Sequence, residues 1–157
     1  MPFSNLGLSQ KINKALDENT YKNPTVIQER VIPLVLENKD IMAKAQTGSG
    51  KTASFVLPIL QLLLNKEEDK EHKGKAKIST LVLTPTRELA LQVSQSFELF
   101  SKYLEKKPKL VTIIGGKSIG DQLLEIQKGC DIVVATTGRL LDILEKKQLN
   151  LSALEFF

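Results

Sequence analysis

Eight consecutive residues combine glycines, hydroxyls and a lysine: Ala45-Gln46-Thr47-Gly48-Ser49-Gly50-Lys51-Thr52. A short apolar run precedes them and an amphipathic segment follows, which predicts a strand at residues 41–44 and a helix beginning at Lys51. Gly48 and Gly50 allow the backbone to curl, so that its amides and the helix N-terminus form a concave anion site. Lys51 adds a positive charge for the β and γ phosphates, and the Thr52 hydroxyl is a ligand for Mg²⁺. The motif therefore predicts binding of a nucleoside triphosphate with Mg²⁺.

The composition is that of one globular domain. The chain has 157 residues, of which 41% are hydrophobic and 25% charged, and a domain has about 100–200 residues. Its 22 basic and 18 acidic residues give a formal charge of +4. This mild excess permits a polyanionic partner without requiring one.

Cysteine usage and apolar patterning predict a reduced, cytoplasmic setting without membrane contact. The one cysteine, Cys130, cannot form an internal disulfide, and its neighbours show no metal-ligand spacing. We interpret it as a small residue where a turn enters a strand. The N-terminus lacks the basic-then-apolar pattern of a secretion signal. The longest apolar stretch, residues 55–64, is too short to span a bilayer.

Two short helices are predicted before the glycine-rich loop. Ser9 is a suitable cap for the first, and Leu8, Ile12 and Leu16 form its apolar stripe. Thr25-Val26-Ile27-Gln28 fits the capping box of the second helix, which is expected to fray near Pro33. A charged stretch at residues 66–77, which includes His72, is predicted to be a solvated loop.

The rest of the chain alternates short apolar runs with amphipathic segments. This pattern predicts strands at residues 41–44, 78–84, 110–114 and 131–135, and helices at residues 51–64, 86–105, 119–128 and 138–147. Strands that are apolar on both faces and alternate with helices indicate right-handed crossovers and a parallel sheet. The predicted class is α/β, doubly wound.

Several separated segments resemble one family, the DEAD-box ATP-dependent RNA helicases, and specifically their first RecA-like domain. Phe3 is similar to the family's isolated upstream aromatic residue. Residues 45–52 match its phosphate loop, including Ala45. Thr137 stands where the family usually has Pro. The other matching segments are Tyr21-Lys22-Asn23-Pro24-Thr25-Val26-Ile27-Gln28 (Q motif), Pro85-Thr86-Arg87-Glu88-Leu89-Ala90 (motif Ia), Gly115-Gly116 (Gly-Gly motif) and Thr136-Thr137-Gly138-Arg139 (motif Ib).

For the nucleotide, the resemblance implies ATP. Gln28 would read the adenine edge, since a carboxamide offers both a donor and an acceptor, and Phe3 would stack on the ring. From the residues alone, helix capping explains Gln28 equally well. The implied nucleotide-binding set is Phe3, Tyr21, Thr25, Gln28, Thr47, Gly48, Ser49, Gly50, Lys51 and Thr52, with Lys51 and Thr52 catalytic and Thr52 on Mg²⁺.

For nucleic acid, the resemblance implies single-stranded or short duplex RNA, held by its backbone without base readout. The three later motifs each follow a predicted parallel strand, on the side where open α/β sheets bind ligands. Taken singly, Arg87 is also explained by pairing with an acid, and Gly115-Gly116 by a plain turn. The implied RNA-binding residues are Pro85, Thr86, Arg87, Gly115, Gly116, Thr136, Gly138 and Arg139.

No Asp-Glu pair follows an apolar strand, although hydrolysis needs such acids for Mg²⁺ and for water. We therefore expect a RecA-like phosphate-loop domain whose open, mainly parallel sheet is incomplete at its C-terminal end.

The predicted division is a Q-motif helical region at 1–38 and a partial ATP-binding helicase domain at 39–157. The resemblance implies a longer helicase with a second RecA-like domain, and a 157-residue chain that is inactive alone. The alternatives are a non-enzymatic nucleotide- or RNA-binding module and a phosphate-loop helicase that acts on DNA.

Overall fold

The computed structural model describes residues 2–68 and 75–157, which form two compact units. The first unit contains residues 2–68 together with Ser96–Lys107, and the second contains residues 75–95 together with Pro108–Phe157. His72 and the middle half of the predicted solvated loop, residues 69–74, lie outside the described residues. The predicted division at residues 38 and 39 stays a prediction.

The first unit is helical. A 3₁₀ turn at Phe3–Leu6 precedes α1 (Gln10–Glu18), α2 (Val26–Leu36) and α3 (Lys51–Glu68). The Ser9 hydroxyl accepts a hydrogen bond from the amide of Ile12 at 3.4 Å, so the predicted cap of α1 is confirmed. The predicted stripe of Leu8, Ile12 and Leu16 is buried. Helix α2 continues past Pro33 to Leu36.

Two predictions for this unit are wrong. Residues 41–44 do not form a strand, and Met42 is fully exposed. A strand needs a partner for its backbone amides and carbonyls, and no strand among the described residues pairs with this segment. Helix α3 runs to Glu68 instead of ending near residue 64, because the lysine and glutamates that read as a loop are also good helix formers.

The second unit holds a three-stranded parallel sheet. Its strands are β1 (Thr80–Thr84), β2 (Leu110–Ile113) and β3 (Ile132–Thr136), in the order β1-β3-β2. Thr84 lies opposite Thr136, and Ile113 lies opposite Ala135. The first four residues of the central strand, β3, are buried, and its last residue, Thr136, is partly buried. The predicted α/β class with an open parallel sheet is confirmed.

A helix follows each strand, as the alternating pattern predicted. These helices are α4 (Arg87–Phe100), α5 (Ile119–Gln127) and α6 (Thr137–Glu145). Helix α4 ends five residues earlier than predicted, because i→i−3 turns replace the helical bonds. In these turns the amide of Lys102 donates to the carbonyl of Leu99 at 3.4 Å, and the amide of Leu104 donates to the carbonyl of Ser101 at 3.0 Å.

The outer edge of β1 carries one further pairing. Phe156 forms a parallel bridge with Thr80, and its carbonyl accepts from the Leu81 amide at 2.9 Å. Phe156 therefore lies along the outer edge of β1. Within the described residues, no helix is both long and apolar enough to cross a membrane.

Cys130 lies two residues before β3, in the apolar core of the second unit. Its thiol is 3.0 Å from the carbonyl oxygen of Ile132. Burial raises the pKa of Cys130 to about 12. The thiol is therefore protonated at neutral pH, which agrees with the predicted structural role.

Candidate functional site

The glycine-rich loop lies directly before α3, as the motif predicted. Gly48 and Gly50 have φ of 80° and 86°, in the left-handed region that glycine adopts without strain. Lys51, the first residue of α3, donates from its ammonium group to the carbonyl of Gln46 at 2.8 Å and to that of Ala45. The loop thus brings together a helix N-terminus and a cation, the two features that favour a bound phosphate.

The start of α2 is hydrogen-bonded to this loop. The Thr25 hydroxyl donates to the carbonyl of Ser49 at 2.8 Å, and the Gln28 carboxamide donates to that of Gly50 at 3.2 Å. A methyl group on Gly50 would lie only 2.4 Å from Nε2 of Gln28. Position 50 therefore requires glycine both for its backbone angle and for this contact.

Gln28 uses both ends of its carboxamide inside the first unit. Its Oε1 accepts from the amide of Thr25 at 2.9 Å, which completes the predicted helix cap, and the side chain is 1% exposed. A carboxamide has two donor hydrogens and two acceptor lone pairs. One donor and one acceptor thus remain for a second partner, so helix capping and adenine recognition are compatible.

The other predicted nucleotide residues differ in exposure. Phe3 is 4% exposed and buried in the first unit, whereas Tyr21 is partly exposed and meets the Phe100 ring edge-to-face at 5.3 Å. Thr47 is exposed and Thr52 half-buried. The Ser49 hydroxyl is buried without a hydrogen-bond partner among the described residues.

The predicted nucleic-acid residues of the second unit follow the carboxyl ends of its strands. The Thr86 hydroxyl caps α4 by accepting from the amide of Leu89 at 3.2 Å. Arg87 is exposed, and a methyl group on Gly116 would lie 2.9 Å from its guanidinium. Gly116 has φ of 79°, whereas a methyl group on Gly115 would meet no atom within 4 Å. The fold thus brings motif Ia and the Gly-Gly motif into contact.

The alternative explanation of Arg87, pairing with an acid, finds no support. Among residues 2–68 and 75–157, no carboxylate forms an ion pair with this guanidinium.

Thr136 precedes α6, and Thr137 is its first residue. Proline is favoured at this first position because it needs no amide hydrogen there. Thr137 also fits it, so α6 forms without the family's usual proline.

Arg139 is held by a residue that the sequence reasoning missed. Its guanidinium donates to the carbonyl of Lys117 at 2.9 Å and to Oε1 of Gln122 at 3.4 Å. Gln122 in turn donates to the carbonyl of Ile114 at 3.0 Å. The available signal was its position: Gln122 falls on the apolar stripe of α5, where a polar side chain needs a partner.

The first unit places a glycine-rich loop directly before a helix N-terminus, and the second unit holds an open parallel sheet with helices between its strands. These features define the RecA-like class of nucleotide-binding domains. Within this class, the chain belongs to the DEAD/DEAH box helicase family, whose model matches residues 25–157.

Relatives and a solved structure agree with this assignment. The chain is 44% identical to the ATP-dependent rRNA helicase rrp-3 of Neurospora crassa over 98% of this chain and 28% of that protein. It is 41% identical to the ATP-dependent RNA helicase DeaD of Haemophilus influenzae over 98% of this chain and 24% of that protein. The crystal structure of a DEAD box protein from Methanococcus jannaschii superposes with a TM-score of 0.83 at 41% identity, over 98% of this chain and 39% of that chain. The chain thus spans about a quarter of the length of these two relatives.

Proposed function

We propose that this chain is an ATP- and RNA-binding lobe of a DEAD-box ATP-dependent RNA helicase. The observation that carries the proposal is the pair of hydrogen bonds from Thr25 and Gln28 to the loop carbonyls of Ser49 and Gly50. These bonds join the segment expected to recognise adenine to the segment expected to bind phosphate. An ordinary strand-to-helix turn does not need this link.

The nucleotide would bind at the loop. Gly48, Gly50 and the α3 N-terminus would favour its phosphates, and Lys51 would supply positive charge. Gln28 would use its remaining donor and acceptor for the adenine edge, and Phe3 and Tyr21 would border the base. The other members of the proposed set are Thr25, Thr47, Ser49 and Thr52.

Magnesium would enter with the nucleotide. The described residues contain no group of three histidine, cysteine or acidic side chains that would hold a metal by themselves. Mg²⁺ keeps several waters and commonly takes few protein ligands besides phosphate oxygens. The hydroxyl of Thr52, the second residue of α3, fits that donor set. When bound, ATP with Mg²⁺ supplies the phosphoanhydride whose hydrolysis drives a helicase.

RNA would bind along the carboxyl edge of the sheet in the second unit. Arg87 and Arg139 offer guanidinium groups, and Gly116 lets the backbone approach closely. Pro85, Thr86, Gly115, Thr136 and Gly138 complete the proposed surface. These groups suit phosphates and sugars, so we propose binding without sequence preference.

The longer protein would hydrolyse ATP and separate short RNA duplexes by closing this lobe against a second RecA-like domain. The 157-residue chain lacks an Asp-Glu pair after an apolar strand. We therefore expect it to bind nucleotide without turnover. A cytoplasmic location also stays a prediction.

Titration calorimetry with ATP and GTP tests the nucleotide site. We expect ATP to bind more tightly than GTP, Lys51→Ala to weaken both, and Gln28→Ala to reduce the preference for ATP. Equal binding of ATP by the chain and by Lys51→Ala would refute the phosphate site.

Two further assays test the class of protein. Phosphate release in the presence of decauridylate should not exceed that of Lys51→Ala, and higher turnover would show that the chain is itself an ATPase. In competition, RNA should displace a labelled RNA strand better than DNA of the same sequence. The reverse order would favour the DNA-helicase alternative.

A further inference from the structure

A chain of hydrogen bonds in the second unit joins the segment after β2 to the first turn of α6. Gln122 donates from Nε2 to the Ile114 carbonyl at 3.0 Å. Arg139 donates from Nη1 to Oε1 of Gln122 at 3.4 Å and to the Lys117 carbonyl at 2.9 Å. One glutamine thus contacts both Ile114, the residue before the Gly-Gly motif, and Arg139 of motif Ib.

The position of Gln122 is unusual for a polar residue. It is 5% exposed, beside the buried Leu123 on α5. A buried carboxamide is unfavourable unless both of its ends are bonded. Here Nε2 of Gln122 donates a hydrogen bond to the carbonyl of Ile114, which lies just past the end of β2. Its Oε1 accepts a hydrogen bond from Arg139. An apolar side chain at this position would need no hydrogen-bond partners, whereas Gln122 needs them at both ends of its carboxamide and has them.

The contact determines how Arg139 presents its charge. A guanidinium has five N–H donors in a rigid planar fork. Both contacts involve Nη1, so Nη2 and Nε remain for an anion. Holding one nitrogen fixes the plane of the fork and removes rotamer freedom that an anion would otherwise have to restrict on binding.

We propose that Gln122 is a positioning residue, which holds Arg139 in the orientation that binds an RNA phosphate. This rests on the proposed function, which assigns Arg139 to the RNA backbone. Gln122 itself does not touch RNA. It acts on affinity through the guanidinium, and it couples the segment after β2 to motif Ib.

The test measures binding of 5′-fluorescein decauridylate to the 157-residue chain by fluorescence anisotropy at several salt concentrations. We expect Gln122→Ala to weaken binding by about threefold to tenfold, the effect of losing one hydrogen bond. Gln122→Met fills a similar volume without a donor or acceptor, so it should show the same loss and carries the test if the alanine variant does not fold. Gln127→Ala, an exposed glutamine on the same helix, should bind like the unmodified chain.

Two readouts separate positioning from a general structural defect. Arg139→Gln should weaken binding, and Gln122→Met should then add no further loss in the double variant. The slope of log K against log salt should fall by about 0.7 for Arg139→Gln, one phosphate contact on a single strand. It should fall in the same direction for Gln122→Met, although that change removes no charge.

The outcomes distinguish two failures. If Arg139→Gln weakens RNA binding but Gln122→Met does not, or if the two losses multiply in the double variant, the positioning role is wrong and the RNA site stands. If Arg139→Gln and Arg87→Gln both bind RNA like the unmodified chain, the proposed RNA site itself is wrong, and the positioning role fails with it.

Discussion

Gly50 and Gln28 approach so closely that a methyl group at position 50 would lie 2.4 Å from Nε2 of Gln28. The same carboxamide donates to the Gly50 carbonyl at 3.2 Å. The glycine thus lets a buried side chain from α2 reach the backbone of the phosphate loop. Two segments that are 22 residues apart in the chain act as one structural element.

Gly50→Ala should be more damaging than Gly48→Ala, its matched control. Both positions have a left-handed φ, where a side chain costs about 1–2 kcal/mol. Only Gly50→Ala also displaces Gln28, which should lower the free energy of unfolding by about a further 1–2 kcal/mol. A methyl group on Gly48 would meet no atom within 4 Å. Urea unfolding measures the difference, and equal destabilisation would contradict the contact.

Gln28→Ala should lower the free energy of unfolding by about 1–3 kcal/mol, because it leaves the Thr25 amide and the Gly50 carbonyl without their partner. Gln10→Ala, an exposed glutamine at the start of α1, is the control and should change it by less than about 0.5 kcal/mol. Thermal and urea unfolding would test this. A loss no larger than that of Gln10→Ala would show that the cap and the loop contact contribute little.

Phe3 offers a test of burial against stacking. Since the ring is 4% exposed, Phe3→Ala should lower the free energy of unfolding by about 3 kcal/mol. Phe3→Leu keeps most of the apolar volume and should lower it by less than about 1.5 kcal/mol. If the ring also stacks on adenine, Phe3→Leu will weaken ATP binding in titration calorimetry. Unchanged ATP affinity would assign Phe3 to the core alone.

Gly116→Ala should weaken RNA binding while the protein stays folded. The variant is strained at φ of 79° and places a methyl group 2.9 Å from the Arg87 guanidinium, which must move. Gly120→Ala, an exposed position in the first turn of α5 and outside the proposed surface, has neither problem and is the control. We expect an affinity loss of about threefold to tenfold for Gly116→Ala, the equivalent of one displaced contact. Anisotropy with decauridylate measures it, and matching affinities for the two variants would count against the site.

Cys130 should make stability depend on alkaline pH. Burial raises the pKa of its thiol to about 12 from the ordinary value of 9.0, so the folded state keeps a proton that the unfolded state loses. The resulting stabilisation is complete below pH 9 and is lost as the pH rises towards 12, by at most about 1.4 kcal/mol per pH unit. Urea unfolding at pH 8 and pH 10 should show a larger decrease for the unmodified chain than for Cys130→Ala. Parallel decreases would contradict this pKa.

Local rules explain which predictions succeeded. Ser9 and Thr25 mark helix starts because the residues that satisfy the free amides lie within three positions along the chain. The loop at residues 45–50 was recognisable because glycine spacing and the following Lys51 are contiguous. The prediction of a strand at residues 41–44 was wrong because an apolar run becomes a strand only when another strand pairs with it.

By itself, the sequence determined the family, the glycine-rich loop before α3, the helix caps and the parallel α/β class, since each depends on residue types at short spacing. Only the tertiary structure decided that Gln28 reaches Gly50, that Arg87 covers Gly116 and that Gln122 holds Arg139. These contacts join residues that are 17 to 29 positions apart. The reason is physical: a long-range hydrogen bond depends on where the fold places both partners, and no local pattern of residues records that placement.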